Sequence, residues 1–170
     1  MAPRPDPFSI TIATDADAVA LAALKARVAA SLTARHGKGH WSSSASDKAI
    51  RRAIEKNTVL VAQTATFVVG TLSLQTKKPW AINLKHFTAV GRALYLVDMA
   101  VDPHGQGGGV GRVLIQEAVR ITRGWPADAI RLDAYDSPAG AGGFYAKCGF
   151  TEVGRAVFRT VPLIYFEYLL

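Results

Sequence analysis

The chain has a single cysteine, Cys148, and this scarcity excludes two classes of protein. One thiol can form neither an internal disulfide nor a cysteine metal cluster, and no His/Asp/Glu spacing resembles a ligand set, so no metal is expected. No apolar run approaches the roughly 20 residues that a membrane span needs. The segment Met1–Phe8 lacks a charged stretch followed by an apolar one, so no signal peptide is predicted. A cytoplasmic protein is expected.

Long runs of one charge are also missing, although the net charge is +7 and the pI is about 9.8. The cations are spread from Arg4 to Arg159, and no run of five or more occurs. A nucleic-acid binder would need clustered cations interleaved with aromatic residues. The positive charge is therefore attributed to solvated faces, with a bias toward a small polyanion such as the phosphates of a cofactor.

What the chain does have is enough apolar material for one core. Its 170 residues are 49% hydrophobic, which fits a single domain over residues 1–170. Periodicity predicts the order β-α-α-β-β-β-α-β-α-β-β, a mixed α+β or α/β arrangement on one central sheet. The predicted strands cover residues 8–12, 58–62, 67–74, 94–101, 130–135, 151–158 and 163–169. Two predicted helices follow caps at Thr14 and Ser46, a third begins near Val110, and a fourth covers 139–147. The segment 76–92 is predicted to be a long loop or a loop with a short helix, and the last hairpin is predicted to turn around Pro162.

The most informative segment is the glycine-rich run from Asp102 to Arg112, between a predicted strand and a predicted helix. Glycines there let the backbone turn tightly and expose successive N–H groups at a helix N-terminus, which is a site for phosphate or pyrophosphate. The run is not a P-loop, because Gly111 is followed by Arg112-Val113, and it does not match the dinucleotide pattern Gly-x-Gly-x-x-Gly. A plain connector is the alternative, but five glycines in seven positions favour a phosphate site.

The six residues Gln106-Gly-Gly-Gly-Val-Gly111 resemble the Gln/Arg-x-x-Gly-x-Gly/Ala signature of the GNAT superfamily (GCN5-related N-acetyltransferases). Leu96–Pro103 resembles that family's fourth strand. Gly143–Phe150 resembles its closing helix and turn, which usually ends in Tyr-x-Lys-x-Gly-Phe. The resemblance covers about residues 94–152. It implies a central mixed, mostly antiparallel sheet flanked by helices, with splayed fourth and fifth strands.

The resemblance also implies a cofactor site for acetyl-CoA, which serves as the co-substrate. Backbone amides of the loop would hold the CoA pyrophosphate, and the strand before it would hold the pantetheine arm. The implied cofactor-binding residues are Met99, Ala100, Val101, Gln106, Gly107, Gly108, Gly109, Val110, Gly111 and Arg112. One position departs from the family pattern, because Pro138 stands where the family often has an asparagine. Ser137 and Asp136 are the candidates to take over the role of that asparagine.

Two residues are assigned catalytic roles. Tyr145 matches the family tyrosine that protonates the departing thiolate, and a phenol pKa of about 10 is not far above a thiol pKa of about 8.5. The alternative is an aromatic ring that packs beside Phe144. Asp98 lies in an otherwise apolar strand, where it would take the amine proton through water, bind the cationic acceptor, or satisfy a backbone amide at a β-bulge. Asp133 and Asp136 are second candidates for the base.

The expected function is transfer of an acetyl group from acetyl-CoA to a primary amine by direct attack, without a covalent intermediate. The alternative is a non-catalytic CoA-binding sensor or subunit of the same fold. The expected partner is a small-molecule amine or a peptide, and neither nucleic acid nor a membrane is expected. The apolar final strand, residues 163–170, offers an edge on which a second copy would pair to form a homodimer. His40 and His86 lie in loops that either cover the acceptor site or are simply solvated.

Overall fold

The computed structural model describes residues 7–170, so most of the Met1–Phe8 segment, for which no signal peptide is predicted, lies outside the described residues. The strands are β1 (Ser9–Ile12), β2 (Thr58–Gln63), β3 (Val68–Gln75), β4 (Ala93–Val101), β5 (Ala129–Tyr135), β6 (Thr151–Phe158) and β7 (Val161–Leu169). The helices are α1 (Ala18–His36), α2 (Asp47–Lys56), α3 (Val110–Gly124) and α4 (Gly142–Lys147). Single 3-10 turns lie at Asp15–Asp17, His40–Ser42 and Leu84–His86. None of the described helices is long and apolar enough to cross a bilayer.

The described strands form a mixed sheet in the order β1-β2-β3-β4-β5-β7-β6. The β1/β2, β5/β7 and β6/β7 pairs are antiparallel, whereas β4 and β5 are parallel. The parallel register spans three residue pairs, from Ala93 opposite Ala129 to Tyr95 opposite Arg131. On its other side, β5 pairs with β7 along its whole length. The predicted mixed, mostly antiparallel sheet with splayed fourth and fifth strands is confirmed.

The described chain forms two compact units, and the first contains the residues up to Ser73 together with Asp98–Leu114. Its core is the apolar face of α1, with Leu21 and Leu24 almost fully buried, packed with Ile50 of α2 and Val61 of β2. The predicted cap of α2 is confirmed, because the Ser46 hydroxyl accepts a hydrogen bond from the Ala49 amide at 3.3 Å.

The second unit contains Leu74–Val97 and Ile115–Leu170. The long segment 76–92 of this unit is bound to the sheet rather than loosely solvated. The Tyr165 hydroxyl donates a hydrogen bond to the Ala81 carbonyl and accepts one from the Asn83 amide at 3.3 Å. Phe87 of this segment is buried in a cluster with Tyr165 and neighbouring apolar side chains.

A buried ion pair also binds the segment 76–92 to the sheet. The Arg131 guanidinium lies 3.3 Å from the Glu167 carboxylate, and both side chains are almost fully buried. The pair also binds both backbone groups of Thr88, the carbonyl and the amide. Arg131 Nη2 donates to the Thr88 carbonyl at 2.5 Å, and the Thr88 amide donates to Glu167 Oε1 at 3.3 Å. These contacts satisfy both charges and both backbone groups of Thr88. The loop is therefore held in one position on strands β5 and β7.

Two expectations about the last hairpin were wrong. The hairpin turns at Arg159 and Thr160, whose φ values of 46° and 71° are those of a two-residue type I′ turn. Pro162 instead lies inside β7, opposite Val157. In addition, β7 pairs with β5 on one side and with β6 on the other. The backbone groups of residues 163–167 are therefore used by neighbouring strands on both sides, and this part of the strand offers no edge on which a second copy would pair.

Candidate active site

The glycine loop begins at Asp102, whose carboxylate is held from several directions within the first unit. Arg27 of α1 approaches Oδ2 with Nε at 2.9 Å and Nη2 at 2.8 Å, and the His104 amide donates to Oδ1 at 3.0 Å. Burial alone would raise the pKa of Asp102, but the His104 amide and the Arg27 guanidinium hold that pKa below its usual value. Sequence reasoning missed this anchor, because Arg27 lies 75 residues from Asp102 and no local pattern links them.

Two glycines of the loop have a backbone that other residues rarely adopt. Gly107 and Gly109 have φ values of 86° and 87°, in the left-handed region. A Cβ atom at either position would meet nothing within 4 Å, so the requirement for glycine is conformational and the space beside the loop is open. The Gln106 side chain donates to the Val101 carbonyl at 3.3 Å and so braces the loop against the end of β4.

Helix α3 begins directly after these glycines, at Val110. The amides of Val110, Gly111 and Arg112 therefore have no carbonyl partner within the helix, while the Val113 amide reaches the Gly109 carbonyl at 3.1 Å. Free N–H groups and the positive end of the helix dipole together form a site for anionic oxygens. Gly111 lies in the first helical turn, so its φ is negative, unlike those of Gly107 and Gly109.

Helix α3 also explains a glycine that sequence reasoning overlooked. Gly70 lies within β3, and a Cβ atom there would lie 2.8 Å from Val110 and 2.9 Å from Leu114. The absence of a side chain lets the first turns of α3 approach the strand. A lone glycine inside an apolar strand pattern is the local sign of such an approach.

Asp98 interrupts strand β4 immediately before the residues assigned to the pantetheine arm. Its φ of 54° is left-handed, although it is not a glycine. Such a conformation costs on the order of 1–3 kcal/mol, and strained residues of this kind cluster at active sites and ligand clamps. Its side chain is 59% exposed, and its carboxylate lies 3.9 Å from the Lys25 ammonium. Met99, Ala100 and Val101 continue the strand beyond this irregularity.

Tyr145, in the second unit, lies on α4 and is 7% exposed. Its ring packs against three phenylalanines, with centroids 5.4 Å from Phe144, 5.7 Å from Phe150 and 6.0 Å from Phe166. Burial raises the pKa of the Tyr145 phenol, and the nearby Asp133 and Cys148 raise it further. The phenol therefore keeps its proton throughout the physiological pH range. It is also a weaker acid than a phenol in free solution.

The two second candidates for a base have different surroundings. Burial raises the pKa of the Asp133 carboxyl, which makes its carboxylate a stronger base than an ordinary aspartate. Asp136 is instead paired with Arg155, whose Nη1 lies 3.3 Å and 3.4 Å from the two carboxylate oxygens. Asp133 is also close enough to Tyr145 for its charge to affect the phenol. The second unit thus brings one basic carboxylate and one protonated phenol together.

The turn after β5, where Pro138 replaces the family asparagine, contains a hydroxyl group without a protein partner. Ser137 Oγ is buried and makes no hydrogen bond within residues 7–170. The turn is tight, because the Gly140 amide donates to the Ser137 carbonyl at 2.9 Å, and a Cβ atom at Gly140 would lie 1.9 Å from the Tyr135 carbonyl oxygen. Since Asp136 is engaged by Arg155, Ser137 is the better of the two candidates to take over the role of the asparagine.

The two loop histidines also differ. His40 lies exposed in a 3-10 turn. His86 packs on the sheet of the second unit, with its ring centroid 5.3 Å from that of Tyr165. A Cβ atom at Gly154 of β6 would lie 2.2 Å from His86 Nδ1, so this glycine makes room for the imidazole. His86 is therefore a packed residue rather than a loosely solvated one.

A family model described as the acetyltransferase (GNAT) domain matches residues 55–152, more than half of the chain. No curated protein matches the chain.

Solved structures of the same fold cover nearly the whole chain. The ribosomal-protein-alanine N-acetyltransferase from Brucella melitensis is 22% identical, with a TM-score of 0.72 over 95% of this chain and 99% of the other. PaiA N-acetyltransferase from Thermoplasma acidophilum, in complex with coenzyme A, is 14% identical, with a TM-score of 0.73 over 95% and 99%. The yncA protein from Salmonella typhimurium, with its cofactor acetyl-CoA, is 16% identical, with a TM-score of 0.70 over 96% and 94%. The structural likeness establishes the fold, and the family match establishes that this chain belongs to the GNAT acetyltransferases.

Proposed function

We propose that this protein is an acetyl-CoA-dependent N-acetyltransferase that acetylates a primary amine by direct attack. The observation that carries the proposal is the loop at the start of α3. It presents free amides from Val110 to Arg112 directly after two left-handed glycines. The coenzyme A and acetyl-CoA bound by the Thermoplasma and Salmonella proteins support the same ligand here.

The residues present fit the pyrophosphate of CoA. The space beside Gly107 and Gly109 is open, so a phosphate oxygen can approach the loop backbone without meeting a side chain. The amides of Val110, Gly111 and Arg112 donate to such oxygens, and the exposed Arg112 side chain adds a positive charge at the same helix end. Gln106 holds the loop and does not need to touch the ligand. Met99, Ala100 and Val101 are the proposed backbone partners of the pantetheine arm.

Acetyl-CoA supplies an activated thioester, and the protein must manage two protons. The neutral amine forms a bond to the carbonyl carbon, the carbon–sulfur bond breaks, and its electron pair leaves on sulfur. The nitrogen then loses one proton and the sulfur gains one. Asp98 or Asp133 is the proposed acceptor of the amine proton. Asp133 is favoured as a base by its raised pKa, and Asp98 by its position next to Met99.

Tyr145 is the proposed donor to sulfur. Because the pKa of its phenol is raised, the proton stays on oxygen until charge develops on the departing sulfur. Its first contribution is therefore a hydrogen bond to the developing thiolate, which strengthens in the transition state. The aromatic packing of the ring is compatible with this role, because the same contacts hold the phenol in a single position.

The experiment that tests the proposal combines thermal shift with turnover. Millimolar CoA and acetyl-CoA should each raise the melting temperature, because a ligand that binds only the folded state stabilises it. Consumption of acetyl-CoA should then depend on an added amine from a panel of amines and peptides. A thermal shift without turnover on any acceptor would support the alternative, a CoA-binding sensor or subunit. No shift at all would contradict the cofactor assignment.

A further inference from the structure

A small pocket in the first unit contains two opposite charges and an unpaired hydroxyl group. Its polar lining consists of Lys25 of α1, Thr71 and Ser73 of β3, and Asp98 of β4, and its remaining walls are apolar side chains of α1, α2 and β2. The enclosed space is about 10 Å³, which admits about one water-sized group. Asp98 lies on the exposed side of this space, so a larger ligand would extend past its carboxylate.

The two hydroxyl groups of β3 show which part of the pocket needs a ligand. Thr71 and Ser73 are each 2% exposed. The Thr71 hydroxyl donates to the Leu60 carbonyl at 2.7 Å and is satisfied. The Ser73 hydroxyl has no hydrogen-bond partner in the described part of the chain. Buried hydroxyl groups are rarely left unpaired, so a group from outside the protein is expected to form a hydrogen bond with the Ser73 hydroxyl.

The charges of Lys25 and Asp98 attract each other without forming a hydrogen bond. Their nearest atoms are 3.9 Å apart, beyond hydrogen-bond distance, and the Lys25 side chain is only 18% exposed. The ammonium keeps donors for a second anionic partner, and the carboxylate keeps free acceptor positions. The pocket therefore offers donors at its buried end, from Lys25 and Ser73, and an anionic acceptor at its exposed end.

We propose that this pocket binds both charged groups of a free α-amino acid, which would then be the acceptor of the acetyl group. The carboxylate would accept hydrogen bonds from Lys25 and Ser73, and the amino group would lie against Asp98. A carboxylate oxygen is about the size of the enclosed space, and an α-amino acid places its nitrogen only a few ångströms from that oxygen. A simple amine or a peptide N-terminus has no α-carboxylate and would leave the Lys25 ammonium and the Ser73 hydroxyl unmatched.

This inference rests on the proposed acetyltransferase function, since it identifies the class of acceptor. It agrees with the order of groups along the chain. The proposed pyrophosphate site lies at 107–112 and the proposed pantetheine residues are Met99–Val101. Asp98 directly precedes Met99, on the side of the pantetheine arm that would carry the thioester. The amino group of the acceptor has to approach that thioester.

The test compares matched acceptors that differ only in the α-carboxylate. For each of the twenty amino acids, kcat/KM is measured beside the corresponding amino-acid amide and, where it exists, the decarboxylated amine. At least one amino acid should exceed its amide by about tenfold or more, as expected for a charge-assisted hydrogen bond. Equal use of amide and amino acid would overturn the inference while leaving the acetyltransferase function intact.

Variants locate the effect in the pocket. Lys25→Met removes the charge and keeps an unbranched apolar side chain, so kcat/KM should fall about tenfold more for the amino acid than for its amide. Ser73→Ala should give a smaller loss of the same kind, and Lys48→Met on the exposed face of α2 should give none. An equal loss on both acceptors in Lys25→Met and Ser73→Ala would overturn the inference.

A binding experiment covers the case in which no acceptor is acetylated. Calorimetry of the twenty amino acids against the CoA-loaded protein would then report the pocket directly. Binding that is weakened in both Lys25→Met and Ser73→Ala would support the amino-acid site and would indicate that the protein is a sensor rather than an enzyme. Absence of binding by every amino acid would overturn the inference. Should Lys25→Met fail to fold, as judged by its melting temperature, Ser73→Ala alone decides between these outcomes.

Discussion

Tyr145→Phe removes one oxygen atom from α4 and leaves the aromatic packing of the ring in place. The ring lies between 5.4 and 6.0 Å, centroid to centroid, from the rings of Phe144, Phe150 and Phe166, and phenylalanine preserves that packing. The fold should therefore survive. At neutral pH, the free energy of unfolding should change by about 1 kcal/mol, the usual contribution of one hydrogen bond.

The raised pKa of this phenol gives the same variant a distinct signature at alkaline pH. The folded protein keeps the Tyr145 proton above about pH 10, where the unfolded chain loses it. The unfolded state then binds fewer protons, so the stability contributed by this group is complete below about pH 10 and is lost as the pH rises further. The loss approaches about 1.4 kcal/mol per pH unit. Tyr145→Phe lacks this dependence and should lose stability less steeply.

Urea unfolding of both proteins at several values between about pH 9 and 11.5 measures the difference. The other four tyrosines are common to both proteins and cancel in the comparison. The difference in unfolding free energy should shift in favour of the variant as the pH rises above about 10. Parallel curves for the two proteins would show that the phenol ionises normally, and the reasoning from burial would be refuted.

Kinetics of the same preparations test the catalytic role. If the phenol donates to the departing sulfur, kcat should fall by about 10²-fold while CoA affinity stays nearly unchanged, because the interaction develops only in the transition state. A stable variant with the full kcat would remove Tyr145 from the mechanism, provided that a pre-steady-state burst is absent and chemistry limits the rate. Because the phenol stays protonated below about pH 10, ionisation of Tyr145 cannot cause a fall in kcat between pH 8 and 9. Any such fall should therefore also be seen in the variant.

Three further predictions concern the two units separately. Gly109→Ala forces a side chain into a left-handed backbone and should weaken CoA binding about tenfold by calorimetry, whereas the control Gly124→Ala, at the other end of α3, should bind CoA normally; equal affinities would make the loop a mere connector. Asp98→Asn and Asp133→Asn should be compared by pH–rate profile: the variant that loses the acidic limb with CoA affinity retained identifies the base, and two parental profiles would assign the role to solvent. Ser137→Ala should raise the Kd of CoA several-fold and leave the melting temperature within about 2 °C, because the hydroxyl has no protein partner; an unchanged Kd would rule out a hydrogen bond from Ser137 to CoA.

Elements specified by local chemistry were predictable from the sequence. The Ser46 cap bonds the Ala49 amide three residues away, and the amides of the glycine loop become free because α3 begins at the next residue. Each of these features depends on neighbours along the chain, so its pattern is visible without a structure. The hairpin turn was misplaced for a local reason too. Arg159 and Thr160 adopt left-handed backbones that these residue types rarely take, while Pro162 is an ordinary indicator of a turn.

Features that depend on distant residues were not predictable. The carboxylate of Asp102 is oriented by Arg27 from α1, and Gly70 is required by the side chains of α3 that pack on it. Neither partner can be identified from spacing, because the separations exceed the period of any helix or strand. Sequence alone likewise placed Asp98, Asp133 and Asp136 together as candidate bases. Only their surroundings, which are exposed for Asp98, buried for Asp133 and paired for Asp136, separate the three.

The segment 76–92 shows how much a long-range interaction can change a functional interpretation. As sequence, it is a mixed segment that includes Lys77, Lys78 and Trp80 and no decipherable motif, and it is expected to be a long loop or a loop with a short helix. In the structure, the buried pair of Arg131 and Glu167 binds both backbone groups of Thr88. Moving the loop away would break these two hydrogen bonds, and a hydrogen bond to a charged group contributes about 1.5–3 kcal/mol. A loop held in this way is a fixed wall of the second unit, so selectivity contributed by this segment would arise from its shape rather than from closure on the acceptor.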